Sequence, residues 1–280
     1  MEGIVVAISY GVYSVLVDGV IYKTSPKGLF RLSKNKITVG EHVLIDPNNY
    51  IIQDVLIRNS LLKRPSIANV DQIFLVFSLK EPDFSYYLAA KYLTYAHYQG
   101  VKASLVLTKK DKADEEEIKK IKEVFESVGV NVHVLSNKTK EGVEEVKTLF
   151  ANKVTCLVGQ TGAGKSSLIN SIDPTYEREI GEYSEALGRG KHKTKEVILL
   201  PYMGGFIADT PGFSSLELNI PKVELSHHFP GMEKISLTCF YNDCLHVHEK
   251  DCQVKKAVEE GRIATILYDC YLKLLQEENL

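Results

Sequence analysis

Over the first stretch of the chain, apolar positions come in short runs broken by turn residues, the pattern of half-buried strands. "VLVDGVIY" sets two such runs around Asp18-Gly19, a dipeptide suited to the left-handed conformations of a two-residue hairpin turn. The segment from Gly3 to about Ile57 reads as β-rich, and further strands are expected around Leu29 to Leu32, in "EHVLID" and in "YIIQDVLI". About five short strands in roughly sixty residues predict a small barrel of the oligonucleotide-binding (OB-fold) type, with an SH3-like barrel as the alternative of the same strand pattern. After "LLKRPSIANVD" the texture changes.

From Gln72 onward apolar runs alternate with helical stretches: "QIFLVFS", "ASLVLT", "NVHVLS", "VTCLVG", "EVILL" and "GFIAD", with helices expected over Tyr87 to Gln99 and Glu115 to Val128. This alternation predicts an α/β domain with a largely parallel sheet covered on both faces. Ligands in such domains bind beyond the carboxyl ends of the strands, so the residues after each run carry the chemistry. From about Lys222 strand signals fade. "RIATILYDCYLKLLQ" places Ile263, Leu267, Cys270, Tyr271 and Leu274 at helical spacing, an amphipathic helix expected to dock on its own small domain. The expected organisation is a barrel over residues 1–64, an α/β domain over 65–221 and a small α-rich module over 222–280.

At 280 residues and 44% apolar content the chain can fill a sizeable core. The net charge of -2 conceals an asymmetry: residues 1–64 carry eight basic and five acidic side chains, and the remainder 26 and 31. No apolar run approaches the roughly 20 residues of a membrane-spanning helix, and Glu2 stands where a signal peptide carries Lys or Arg, so a cytoplasmic protein with no membrane contact is expected. Five cysteines are too few and too unevenly spaced for a disulfide framework. Core packing is expected for Cys156 and Cys270.

Gly159 to Ser167, "GQTGAGKSS", follows an apolar strand and opens a helix. That context marks the GxxxxGK[ST] phosphate-binding loop, in which Gly159, Gln160, Thr161, Gly162, Ala163 and Gly164 curl the backbone so that N–H groups face phosphate oxygens. Lys165 then reaches the β- and γ-phosphates, Ser166 ligates Mg²⁺, and Ser167 continues the helix start. Downstream, Asp209 ends "GFIAD" and begins a DxxG switch with Gly212; between the two lies "GRGKHKTK", in which Thr194 is the candidate switch residue for Mg²⁺. Thr108, Lys109 and Asp111 in "TKKD", and Ser136, Asn137 and Lys138 in "SNK", match the guanine-reading loops, since the Asp111 carboxylate meets two N–H donors that adenine lacks. Lys109 can lay its stem on the ring face, and the Asn137 N–H can meet O6. Both base loops precede the phosphate loop, so the motif order is a cyclic shift of the ordinary GTPase order, tolerable because domain termini often lie close together.

"RPSIANVDQ", "TKKD", "GQTGAGKSSLIN", "GRGKHKT", "DTPGF" and "CFYNDCLHVHEKDC", in that order over essentially the whole length, resemble the circularly permuted RsgA family of ribosome-assembly GTPases. The resemblance implies an oligonucleotide-binding barrel, a permuted GTPase domain and a zinc domain. It implies binding to the small (30S) ribosomal subunit late in maturation, with hydrolysis stimulated by the subunit and coupled to release.

Cys239, Cys244, His246 and Cys252 also stand on their own as a compact set of three thiolates and one imidazole, a closed tetrahedral site for one structural Zn²⁺. His248 rivals His246, which the family pattern and the spacing from Cys244 favour. Phe213 stands where ordinary GTPases place a water-orienting Gln, so slow intrinsic hydrolysis is expected. The family's switch histidine maps to His192, which with Lys165 and Thr194 forms the expected catalytic set. Lys193 replaces the first Thr of the common "HTT". Lys23, Lys27, Arg31, Lys34 and Lys36, with Tyr22 and Phe30 interleaved, suit rRNA. Two other readings carry the same residues: a nucleotide-gated RNA-binding scaffold in which hydrolysis is incidental, and a P-loop ATPase or kinase. A monomer binding GTP and GDP is expected.

Overall fold

A computed structural model of the chain describes residues 1–28, 36–63, 65–175, 197–209, 216 and 218–277, with Asp209 placed by its backbone alone. The chain divides into two compact units, one of Met1–Gln72, Glu144–Val158 and Ser166–Phe213, the other of Ile73–Val143, Gly159–Lys165 and Ser214–Leu280.

The first unit begins with β1 (Glu2–Ser9), β2 (Val12–Val17), β3 (Val20–Pro26), β4 (His42–Asp46) and β5 (Ile51–Val55). Asp18 and Gly19 both take positive φ, 47° and 83°, the conformation that lets a two-residue turn follow the twist of β2 and β3. The strands run in the order β1-β2-β3-β5-β4, and an antiparallel pairing of β4 with β1 closes the barrel. β3 and β5 pair in parallel. Val5, Val15, Val17, Val43, Ile45 and Ile52 fill the interior with Ile37. The strand expected at Leu29 to Leu32 lies outside the described residues.

Two short strands, β6 (Leu61–Lys63) and β7 (Ser66–Ala68), form an antiparallel hairpin inside the segment that reads in sequence only as a change of texture. Three residues per strand are too few for a periodic signal. The hairpin is tied back to the barrel by the Asn69 side-chain amide, which donates to the Gly40 carbonyl at 2.8 Å. Beside it the buried carboxylate of Glu41 pairs with Arg58 at 3.0 Å.

The same unit holds β11 (Val154–Val158), β12 (Ile198–Tyr202) and β13 (Gly205–Asp209). β11 and β13 are parallel, β12 and β13 antiparallel. Ala7 pairs with Ile198, so β12 lies antiparallel beside the end of β1 and joins the barrel to this sheet. Asp71 and Gln72 lock the chain where it leaves the barrel: the Asp71 carboxylate accepts the Val154 amide at 2.7 Å, and the Gln72 amide donates to the Leu149 carbonyl at 2.8 Å.

In the second unit, β8 (Gln72–Ser78) precedes α1 (Tyr86–Tyr98), β9 (Lys102–Thr108), α2 (Glu115–Glu126) and β10 (Val132–Val134). β9 and β10 are parallel, with β8 on the other side of β9. α1 starts where Ser85 accepts the Leu88 amide, and α2 opens on three glutamates that suit the positive end of its dipole. α3 (Val143–Thr148) and α4 (Lys165–Ile172), which flank β11 along the chain, belong to the first unit apart from their opening residues Val143 and Lys165. The C-terminal helices are α5 (Lys222–His228), α6 (Gln253–Glu259) and α7 (Thr265–Glu277).

The apolar face of α7 docks on its own module, Tyr271 meeting the Phe229 ring edge to face at 5.4 Å. The helix also reaches further than its periodicity indicates. Glu277 accepts from Tyr87 and pairs with Lys91 at 3.4 Å, and the Lys273 ammonium sits 4.4 Å above the Tyr87 ring, so α7 is fastened to α1 as well. Cys156 and Cys270 are buried in core positions. Among the described residues no helix is long and apolar enough to cross a membrane.

Candidate nucleotide site and metal centre

β11 ends at Val158 and α4 starts at Lys165, so Gly159 to Gly164 must turn within six residues. Glycine is required at the first of these, because a Cβ on Gly159 would stand 2.0 Å from the Val76 carbonyl oxygen of β8. Gly162 and Gly164 adopt φ of 80° and 90°, left-handed values that cost a glycine nothing. The Ala163 amide closes the turn on the Gln160 carbonyl at 3.3 Å. Thr161, Ser166 and Ser167 are exposed around it. The half-buried Lys165 ammonium donates to the carbonyls of Gly159 and Gln160, at 2.5 and 2.8 Å, and burial lowers its pKa. A cation held partly dehydrated inside a curl of backbone is a site for phosphate oxygens.

The two base loops meet this turn in space. Thr108, at the end of β9, is fully buried, and its hydroxyl donates to the Ala163 carbonyl at 2.6 Å across 55 residues of chain. The side chain therefore serves the site by holding the phosphate loop, with its one donor already engaged. A Cβ on Gly164 would lie 3.3 Å from the Thr108 hydroxyl and 3.4 Å from the Asn137 side-chain nitrogen, so both loops press on the same glycine.

Asp111 and Ser136 join the base loops to each other. The Ser136 hydroxyl donates to Asp111 at 2.5 Å and accepts the amides of Lys138 and Thr139 at 3.2 and 3.1 Å. That hydrogen bond holds the Asp111 carboxyl below its ordinary pKa, keeping it an ionised acceptor. The neighbouring Lys110 amide donates to the Leu135 carbonyl at 3.1 Å, and its ammonium meets Glu141 at 2.6 Å. Lys109 sits at φ 60° and its ammonium donates to the Glu81 carbonyl, a partner that sequence reasoning missed. The signal available there was only the turn residues of "EPD" after an apolar strand.

Asp209 ends β13 as expected, with its backbone opposite Ile198. The rest of the switch, Gly212 and Phe213, and the switch-loop residues His192 and Thr194 lie outside the described residues, as do Arg31, Lys34 and Phe30 of the barrel.

At the C-terminal module, Cys239, Cys244, His246 and Cys252 bring one ligand atom each to within 4.8 Å of one another. His246 Nδ1 lies 3.5 Å from the Cys239 sulfur and 3.3 Å from that of Cys252, and those two sulfurs are 3.9 Å apart. A tetrahedral zinc with bonds of about 2.3 Å to sulfur and about 2.0 Å to nitrogen needs edges of about 3.8 Å between sulfurs and about 3.6 Å from sulfur to nitrogen. The donor set fits that ion. Burial pushes the Cys244 thiol up to about 12, raises Cys252 as well, and brings His246 down to about 4, so ionised sulfurs at Cys244 and Cys252 call for a compensating cation.

His248, the rival ligand, is exposed. The loop is set from outside by Glu249, which accepts the amides of Leu245 and Val247, both at 2.8 Å. Tyr268 and Tyr271 of α7 donate to the carbonyls of His246 and Leu245, at 2.6 and 3.0 Å.

Residues 55–219 match the family model described as RsgA GTPase. A relative named small ribosomal subunit biogenesis GTPase RsgA, from Staphylococcus haemolyticus, is 39% identical over 98% of this chain and 96% of its own length. One of the same name from Clostridium perfringens is 38% identical over 99% and 98%. Among solved structures, YjeQ from Thermotoga maritima superposes with a TM-score of 0.84 at 36% identity, over 99% of this chain and 97% of that one. YloQ, described as a circularly permuted GTPase, gives 0.81 at 32% identity over 99% and 94%.

Replacing Thr108 by Val should leave the buried Ala163 carbonyl without its donor and cost about 1–2 kcal/mol of stability. Thermal unfolding should show a lowered midpoint for Thr108→Val, with Thr108→Ser recovering most of the loss. Equal midpoints for the two variants would contradict the assigned role of the hydroxyl.

Proposed function

The chain belongs to the RsgA GTPase family, and on that footing we propose that it hydrolyses GTP while bound to the small ribosomal subunit during late maturation, leaving the subunit on hydrolysis. The observation that carries the guanine reading is the bond from Thr108 to Ala163, which sets TKxD beside the phosphate loop despite their order in the chain. In this reading Gly159 to Ser167 cradles the phosphates and Lys165 neutralises the β- and γ-oxygens. Asp111 accepts the two guanine donors while Ser136 fixes its orientation, and Asn137 and Lys138 border the base. The stem of Lys109 covers the ring.

Ser166 and Thr194 are the proposed holders of Mg²⁺, with Asp209 as a partner through water, and the ion would supply charge neutralisation between the phosphates when bound. Gly212 reads the γ-phosphate. Phe213 has no group to orient water, which leaves His192 as the proposed residue for that task in the subunit-bound enzyme. The scaffold alternative is not favoured, because membership is of a GTPase family and the phosphate-loop lysine is in place.

The barrel is the proposed rRNA-binding module over residues 1–64, followed by the permuted GTPase domain over 65–221 and the zinc module over 222–280. The supports for the partner are the name borne by the relatives and the closed barrel with its basic balance. Zinc is proposed for Cys239, Cys244, His246 and Cys252, on the strength of the donor distances, as a structural ion that fastens the loop against α6 and α7. A cytoplasmic monomer is the proposed form.

Two measurements test these assignments. GTP turnover should be slow for the isolated chain and rise at least tenfold with purified small subunits, and His192→Ala should remove most of the rise; turnover unaffected by subunits, with no cosedimentation, would refute the partner. Elemental analysis should find one zinc per chain and well under half of that in Cys252→Ser. Equal zinc in both would refute the metal assignment.

A further inference from the structure

We propose that the loop from Lys80 to Asp83 is a latch on the base side of the nucleotide site, with Glu81 acting as a positioning residue for Lys109. The inference rests on the guanine reading above and adds a residue that belongs to none of the nucleotide motifs. The loop leaves β8 at Ser78, whose hydroxyl donates back to the Pro82 carbonyl at 2.7 Å. Glu81 stands at φ 54°, and its two polar groups go to two lysines of the guanine loop. Its backbone carbonyl accepts the Lys109 ammonium, and its carboxylate pairs with Lys112. On the other side, Pro82 Cδ lies 3.7 Å from where a Cβ on Gly162 would stand, so the same loop borders the phosphate turn. Lys80 anchors it to α2 through Glu117 at 2.9 Å.

The consequence is for the lysine that covers the base. A free lysine stem samples many rotamers and gives them up when it packs on a ring. Lys109 is fixed at both ends, by the strand end at Thr108 and by Glu81, so much of that entropy is lost before any nucleotide arrives. The Lys112 pair keeps Glu81 in place. An exposed ion pair contributes little by itself, so its effect is expected in nucleotide affinity more than in the fold.

The test is calorimetric titration of the full chain with GDP and, separately, with inorganic tripolyphosphate, which offers phosphates without a base. Glu81→Gln and Lys112→Met should each weaken GDP about two- to fivefold. The double variant should lose no more than the worse single, because the two act as one pair. Tripolyphosphate should bind all four proteins alike. The latch is overturned if the single variants bind GDP as the parent does, if their losses multiply in the double, or if GDP and tripolyphosphate weaken equally. A parent chain that binds no GDP would instead overturn the nucleotide reading on which the latch rests.

Discussion

One buried hydroxyl holds the candidate nucleotide site together. Thr108 spends its donor on the Ala163 carbonyl, and around that contact the phosphate loop, the TKxD loop and the SNK loop become neighbours. A buried carbonyl is costly to leave unpaired, so the contact resists opening and gives the phosphate loop one geometry. Ser136 extends the arrangement by holding Asp111, and Glu81 extends it on the opposite side through Lys109. Cyclic reordering of the motifs leaves all of this intact, because hydrogen bonds depend on positions in space and are indifferent to which segment is synthesised first.

The proposed metal centre follows a different logic. Burial drives the Cys244 and Cys252 thiols and the His246 imidazole towards their neutral forms. A bound dication, as proposed for this cluster, would reverse that tendency and turn the cluster into a crosslink. Two tyrosines of α7 donate to the same loop while the far end of that helix is fastened to α1, so hydrogen bonds and an ion pair already brace the module.

Much of this was legible in the residues. Asp18-Gly19 marked the hairpin, six apolar runs marked the strands of the α/β region, and the Cys/His spacing marked the cluster of three sulfurs and one imidazole. Of the two histidines, His246 is buried among the sulfurs and His248 is exposed. What escaped was non-local or too short to be periodic: the β6–β7 hairpin, the edge shared by β12 and β1, the reach of α7 onto α1, and the loop at Glu81. The strictness of Gly159 was legible as a motif position, while its cause, the Val76 carbonyl 2.0 Å from any added Cβ, was not. Patterns report which face of an element is buried; they carry no information about which distant backbone group it will meet.

The central claim is that Asp111, oriented by Ser136, selects guanine at a site assembled from loops in permuted order. The direct measurement is competition of GDP, ADP and xanthosine diphosphate for the parent chain and for Asp111→Asn. The account predicts that the parent prefers GDP over both and that the variant loses GDP at least tenfold while gaining xanthosine diphosphate, because an amide can donate to the carbonyl that replaces the guanine amino group. An unchanged order of preference in the variant would contradict it.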